Sequence, residues 1–426
     1  QNLGLIIVDE EQEHTYQSES APRYDAHDIA KKRAVMENAL LVFASATPLT
    51  ETYHAAQSGK LKLVTLTQRY GGCPLPSVDF IDMRAELTAG NPREVSRRLA
   101  RELQENLDNG EQSILLLNRR GYRTIGMCTD CGHVLKCPNC SVPLVYHKPQ
   151  QALMCHHCGQ TVHPLPTLCP ECGGKIHYSG FGTQRVEEEL AELLPSARIL
   201  RMDQDSTGKK NAHETMLAQF ARHEYDILLG TQMVAKGLDF EDVTLVGVLA
   251  ADLSLYVDHY RAAERTFSLL TQVVGRAGRG EKEGRAVIQT YTPRNDVILA
   301  AAEQDYDRFY DDEIRLRRLR RDPPFADHFT LTVTGPEEEP VRRACVQLCA
   351  ALRQALSQES YRAMEPEVLG PAPAPVVKLN NRYRYRITVV GQNEKPLRQL
   401  LAAYMKAFAR PEHRNMAVHT DCNLMD

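Results

Sequence analysis

Eight of the twelve cysteines lie between Cys128 and Cys172, all in C-x-x-C pairs: Cys128/Cys131, Cys137/Cys140, Cys155/Cys158 and Cys169/Cys172. Such a knuckle offers two thiolates on one tight turn, and two knuckles complete a tetrahedral Zn²⁺ site. Eight thiolates therefore imply two structural zinc ions. Redox-active pairs or free buried thiols are the plainer alternative, but four pairs within 45 residues fit it poorly. The pairs are separated by five, fourteen and ten residues. The fourteen-residue spacer suits a zinc ribbon built on the second and third knuckles, with the first and fourth closing around it; sequential pairing stays open. His133, His147, His156, His157 and His163 lie nearby and read as bystanders, because thiolates already fill two sites.

A second set of residues suits phosphate chemistry. In "LIIVDEEQ" a buried strand ends at Asp9 and Glu10, placed to hold Mg²⁺ through water and to orient an attacking water. In isolation an acidic pair after a strand is more often a solvated loop. "FASATPLTE" (43–51) strengthens the catalytic reading, being another apolar strand that ends in small hydroxyl residues. "LLGTQMVAKGLDF" puts Thr231 and Gln232 at a strand end as donors to a polymer phosphate. Gly237 and Asp239 follow as nucleotide-side residues. "QVVGRAGRG" carries Gln272, Arg276 and Arg279 at the end of an apolar helix; these arginines suit charge developing in phosphoryl transfer. No G-x-x-x-x-G-K-[ST] loop occurs, and "STGKK" (206–210) lacks the upstream glycine.

These residues need a scaffold. Apolar runs of strand length lie at 3–9, 40–45, 113–118, 197–203, 226–231, 243–252 and 284–290. Most lack period-2 alternation, as expected of strands buried on both faces of a parallel sheet. Helical patterns at 94–108, 184–194 and 259–273 alternate with them, which predicts an α/β fold with function at the strand ends. The cysteine block interrupts this rhythm as an insertion. An arginine-rich helical stretch (301–321) stops at "DPPF", its arginines reading as a solvated face. An α+β module follows, with "HFTLTVTG", a helix near 337–357 and "RYRYRITVVG". On that last strand Arg382, Arg384 and Arg386 share one face and Tyr383 and Tyr385 the other, suiting DNA phosphate or an acidic peptide. The plainer reading is a solvated edge with the tyrosines packed inward.

The 426 residues carry 42% hydrophobic residues and a net charge of −4, so nucleic-acid contacts must come from local stripes. The longest apolar runs are too short to span a bilayer and no secretion signal is evident, so a cytoplasmic protein is expected. The start lacks Met and opens almost inside a strand, which reads as the back part of a longer protein.

In this order, "DEEQ", "SATPLTE", "GTQ…KG.DF" and "QVVGRAGR" resemble the later motifs of a superfamily-two helicase motor, in which two RecA-like lobes clamp ATP. With the eight-cysteine insertion, and with "APRYDAHDIA", "LLLNRRGY", "GFGTQRVEEEL" and "VLGPAPAPVVKLNNRYRYR", the whole chain resembles the PriA family of bacterial primosomal replication-restart helicases (primosomal protein N′). The resemblance implies an organisation by residue. The back of the first lobe is 1–70, the start of the second 71–126 and the zinc insertion 127–176. The rest of the second lobe is 177–300, a helical connector 301–324 and a C-terminal domain 325–426. It implies ATP-dependent 3′ to 5′ DNA unwinding at stalled forks, with ATP–Mg²⁺ as cofactor. The implied arginine fingers are Arg276 and Arg279. It implies a nested zinc arrangement, Cys128, Cys131, Cys169 and Cys172 on one ion and Cys137, Cys140, Cys155 and Cys158 on the other. Tyr16, Arg23 and Tyr24 would belong to an aromatic loop that couples DNA contact to hydrolysis. The implied partners are forked and single-stranded DNA, the acidic tail of single-strand-binding protein, other primosome proteins and the replicative-helicase loader, with a monomeric chain and no membrane. The family usually reads "DEEH" where this chain has Gln12, and an aromatic where it has Asp322. The competing class is a non-catalytic, zinc-stabilised scaffold for DNA forks and partner proteins.

Overall fold

The computed structural model describes residues 3–18, 24–66, 74–117, 125–128, 133, 135–139, 144–147, 151–155, 160–179, 183–202, 212–231, 240–256, 259–278, 282–410 and 413–423. Two compact units result, 1–121 with 182–316, and 122–181 with 317–424. The cysteine-rich module thus interrupts the first unit in sequence but groups in space with the C-terminal domain.

The first unit opens with β1 (Leu5–Asp9), α1 (Ala26–Glu37), β2 (Leu40–Ala44) and α2 (Thr50–Gln57). β1 and β2 pair in parallel, Asp9 opposite Ala44, so the acidic motif and the "SATP" motif leave the same sheet edge side by side. The apolar runs here predict burial on both faces, yet Leu5, Ile7 and Leu40 are exposed. The physical reason is that this sheet has two strands among the described residues, with α1 covering it through Ala30 and Ala34 on one side.

The unit continues with β3 (Ser77–Asp82), α3 (Met83–Thr88), α4 (Arg97–Asp108) and β4 (Gln112–Leu117). Beyond the cysteine-rich module (β5 Ile125–Cys128, β6 Val145–His147, β7 Ala152–Met154, β8 Thr161–Val162, β9 Ile176–Ser179) come α5 (Thr183–Leu193), β10 (Ile199–Met202), α6 (Ala212–Ala221) and β11 (Ile227–Gly230). Then follow β12 (Val243–Leu249), α7 (Ala262–Val274), β13 (Arg285–Thr290), α8 (Asp296–Glu303) and α9 (Tyr306–Arg320). The strands form one parallel sheet in the order β10-β11-β4-β12-β13-β3. Alternate residues face opposite layers. Ile114, Leu116, Val246, Val248 and Ile288 pack on Phe267, Leu270, Val273 and Phe309. Leu115, Leu117, Leu245 and Val287 pack on Leu99, Leu103, Val186 and Leu190. Helices on both faces explain why β4, β11 and β12 are buried at every residue and mostly apolar. At Gly247 a Cβ would lie 2.4 Å from the Leu115 side chain of β4 and 3.0 Å from Leu99 of α4, so a larger residue would displace both. β3 escapes the apolar-run reading because "SVDFID" is an edge strand with alternating burial.

In the second unit the cysteine-rich module is a five-stranded sheet, β8-β7-β6-β5-β9, whose neighbours pair antiparallel. The C-terminal domain adds β14 (Asp327–Gly335), α10 (Glu338–Leu356), β15 (Glu367–Leu379), β16 (Arg382–Gly391), α11 (Lys395–Phe408) and β17 (Ala417–Cys422), its sheet ordered β15-β16-β14-β17. α10 lays Val341, Cys345, Leu348 and Leu352 on Leu331, Val333, Ile387 and Val389. Prolines hide β15 from a sequence reading; they are tolerated because it is an edge strand with register shifts. Asn423 extends β17 by bonding Asp327 and His328. Arg317 departs from the solvated-face reading of the connector: it is 1% exposed, donates to the Pro323 carbonyl, and neighbours the buried Asp322. No helix among the described residues is long and apolar enough to cross a membrane.

Candidate nucleotide and metal sites

The chain turns sharply after β1, with Glu10 in the left-handed region at φ 49° and its N–H on Asp9 Oδ1 at 3.0 Å. Asp9 is exposed at the strand end. Glu10 Oε2 accepts from Gln12 Nε2 at 2.5 Å and from Gln272 Nε2 at 3.2 Å. Gln12 in turn accepts from Ser45 of the "SATP" motif. Gln12 thus ties the acidic motif to the "SATP" motif.

Gln272 belongs to a stripe. Arg261, Glu264, Ser268 and Gln272 follow one another at spacings of three, four and four, so they lie on one face of α7 and its N-cap. Arg261 reaches Glu51 at 2.7 Å and Glu264 at 3.3 Å. Glu264 Oε1 accepts the Thr50 N–H at 2.6 Å at the start of α2. Ser268 and Thr47 share a hydroxyl bond of 2.7 Å. This face meets the acidic and "SATP" motifs residue by residue. Burial opposes the charge of Arg261, but Glu51, Tyr260 and Glu264 around it hold the guanidinium firmly protonated.

Two of these partners escaped the sequence reading. Glu11, between the expected acids and Gln12, is 1% exposed; its carboxylate accepts from the Leu49 N–H and the Thr52 hydroxyl. Burial pushes its carboxyl up to about 7, against those bonds and the nearby His27. Glu264 was legible only as a helical polar residue. Its signal is the i, i+4, i+8 spacing with Ser268 and Gln272 along one face of the helix.

Arg276 is half-buried on the turn after α7, its N–H on the Val273 carbonyl. Gly278 takes φ 67°, and a Cβ there would lie 2.4 Å from Gly284 N, so close backbone approach requires glycine at this position. Thr231 is half-buried just after β11. Tyr16 turns inward: its hydroxyl donates to the Asp9 carbonyl at 2.7 Å and its ring meets His27 edge-on at 5.1 Å. Tyr24 is 50% exposed beside the bridge between Gln17 and Asp25 that closes the loop. Arg23, Gln232, Gly237, Asp239 and Arg279 lie outside the described residues.

At the cysteines, Cys137 and Cys155 are each 1% exposed and pack in one cluster with Leu135, Leu144 and Leu153. Cys169 and Cys172 sit on a tight turn with Gly173 at φ 74°, where the Glu171 and Gly174 N–H groups point at the two sulfurs at 3.4 Å. Amides aimed at sulfur suit thiolates, the form that binds metal. Cys131, Cys140, Cys158 and the side chain of Cys128 lie outside the described residues. Among the described residues no three ligand-type side chains converge.

β16 is an interior strand, not an edge. Tyr385 joins the core face, its hydroxyl on Glu338. Arg382, on the opposite face, donates to the carbonyls of Thr334 and Asn415. Arg384 and Arg386 stand opposite Thr334 and Thr332 and are half-buried.

A doubly wound parallel sheet joined to a strand pair bearing acids, with a cysteine-rich module and an α+β domain, defines a RecA-like helicase core with appended modules. Three family models match: "Helicase conserved C-terminal domain" over 165–281, "PriA DNA helicase Cys-rich region (CRR) domain" over 137–162 and "Primosomal protein N C-terminal domain" over 318–423. The chain belongs to the PriA family. It is 44% identical over 425 residues to the replication restart protein PriA of Bacillus subtilis, covering 99% of this chain and 52% of that protein. The Synechocystis protein of the same name is 42% identical over 398 residues, 91% of this chain and 47% of that one. The chain therefore spans about half the length of these relatives. Among solved structures, S. cerevisiae Dbp5 bound to RNA and ADP BeF3 matches at a TM-score of 0.38 and 13% identity, covering 75% of this chain and 62% of that one, too low a score to carry an argument.

Proposed function

We propose that this chain is the motor-and-zinc portion of an ATP-driven DNA helicase that works in replication restart, unwinding forked DNA 3′ to 5′. The observation that carries this reading is the bond from Gln272 to Glu10 at 3.2 Å, one helical turn before Arg276. It supports a site where arginines of the second lobe serve phosphate chemistry at the acids of the first. Asp9 and Glu10 would hold Mg²⁺ and orient the attacking water. Arg276 and Arg279, with Gly237 and Asp239, would face the triphosphate. Bound ATP–Mg²⁺ supplies the cleavable phosphoryl group and most of the local charge.

Tyr16 is suited to relay rather than to stack, since it holds the Asp9 carbonyl while Tyr24 stays exposed at the loop base. Arg23 and Tyr24 are the better candidates for contact with single-stranded DNA, with Thr231 and Gln232 on the phosphates. Arg384 and Arg386 remain candidates for DNA or an acidic protein tail. Arg382 already serves two backbone carbonyls of its own domain, which weakens its candidacy. The cysteines would hold two zinc ions in the nested arrangement. The primosome partners, the loader and action as a cytoplasmic monomer are part of this proposal, and resemblance to PriA is their support.

The deciding experiment is ATP hydrolysis with and without forked DNA, on the 426-residue chain and on one extended upstream to include a phosphate-binding loop. DNA-stimulated hydrolysis only in the extended chain is expected. Silence in both would favour the scaffold, and activity in this chain alone would show the nucleotide site to be elsewhere.

A further inference from the structure

β15 and β16 are joined by the two-residue turn Asn380–Asn381, both in the left-handed region at φ 49° and 59°. That pair of positive angles belongs to the tight hairpin turn that asparagine favours. Asn380 and Asn381 are exposed, yet the hairpin tip is tethered to the cysteine-rich module. The Asn381 N–H donates to the Asn139 carbonyl at 2.8 Å, and Lys378 Nζ donates to the Pro138 carbonyl at 2.8 Å. Leu379 packs on the cluster of Leu135, Cys137, Leu144, Leu153 and Cys155. Pro138 and Asn139 are the two residues inside the Cys137-x-x-Cys140 knuckle. All of these residues fall within one compact unit.

In a metal knuckle the turn amides face the sulfurs, as at Cys169 and Cys172 here. The two carbonyls between the cysteines are then left for an outside partner. We propose that the Lys378–Asn381 hairpin is a clasp that takes these carbonyls and fixes the 137–140 knuckle for metal binding. Lys378, Leu379 and Asn381 are thus positioning residues for one zinc site. Four thiolates around a Zn²⁺ ion carry a formal double negative charge, so the nearby Lys378 ammonium also offsets the site electrostatically. The coupling runs both ways: metal at the knuckle holds the hairpin, and the hairpin slows metal loss.

This inference rests on the zinc reading above, and its test separates the two. Metal content of the full chain is measured first by atomic emission, then zinc release to a colorimetric chelator is followed in Lys378→Met, Leu379→Ser and Asn381→Gly. The Gly variant keeps both the N–H and the positive φ and serves as the control. In Lys378→Met and Leu379→Ser, one zinc should leave about tenfold faster while the other keeps its parental rate. Asn381→Gly should release both at the parental rate. Hydrogen exchange at the Asn381 amide should rise once that zinc is removed. A parent chain without zinc overturns the metal reading and the clasp together. A zinc-loaded chain whose Lys378→Met and Leu379→Ser variants release at the parental rate, or lose both ions equally faster, overturns the clasp alone.

Discussion

Glu11 shows how one buried carboxyl sets a pH dependence. Its folded-state value is raised from 4.5 to about 7, chiefly by burial. The unfolded chain therefore releases this proton first, and stability falls as the pH rises from about 4.5 through about 7. The contribution lost is on the order of 3 kcal/mol. Glu11→Gln keeps an acceptor for the Leu49 N–H and removes the ionisation. Relative to the parent it should gain stability between about pH 5 and about pH 8, read from urea unfolding midpoints; parallel pH profiles would count against the burial argument. Arg279 answers to a different readout. In the extended chain, Arg279→Ala should lower hydrolysis about a thousandfold with DNA affinity nearly intact, and equal loss of both would make it a DNA contact.

At the scale of elements, α7 carries the joint between the motifs. Its apolar face, with Phe267, Leu270 and Val273, is anchored in the large core, while Glu264, Ser268 and Gln272 meet the acidic and "SATP" motifs. α2 is held from two sides: Glu264 takes the Thr50 N–H, while Tyr53 and His54 bond Asp307 and Tyr310 of α9. Glu264→Ala removes the cap of α2 and leaves the buried Arg261 with Glu51 as its nearest acid. Because Glu51 still pairs with Arg261, the expected cost is about 2 kcal/mol, chiefly that of leaving the buried Thr50 N–H without its acceptor. Calorimetry checks it; a change below about 1 kcal/mol would class this network with surface ion pairs.

At the scale of the whole molecule, the division into two units predicts two unfolding transitions. A zinc chelator should lower the midpoint of only the unit holding the cysteine-rich module and the C-terminal domain. Scanning calorimetry with and without chelator reads this directly, and an equal shift of both transitions would refute it. The sequence by itself determined the parallel-sheet class, the cysteine pairs and the order of the motifs. Those features depend on local periodicity and spacing: β4, β11 and β12 are buried throughout and mostly apolar because helices cover both faces. It did not reveal β3, β15 or β17, because edge strands are specified by their neighbours more than by their own composition. Nor did it reveal Glu11 as a buried staple, Arg317 as a buried donor, or the meeting of Asn381 with Asn139. Only the tertiary structure decided these, since burial and long-range hydrogen bonds depend on which surfaces the fold brings together, and residues 242 positions apart in sequence (381 less 139) carry no local trace of contact.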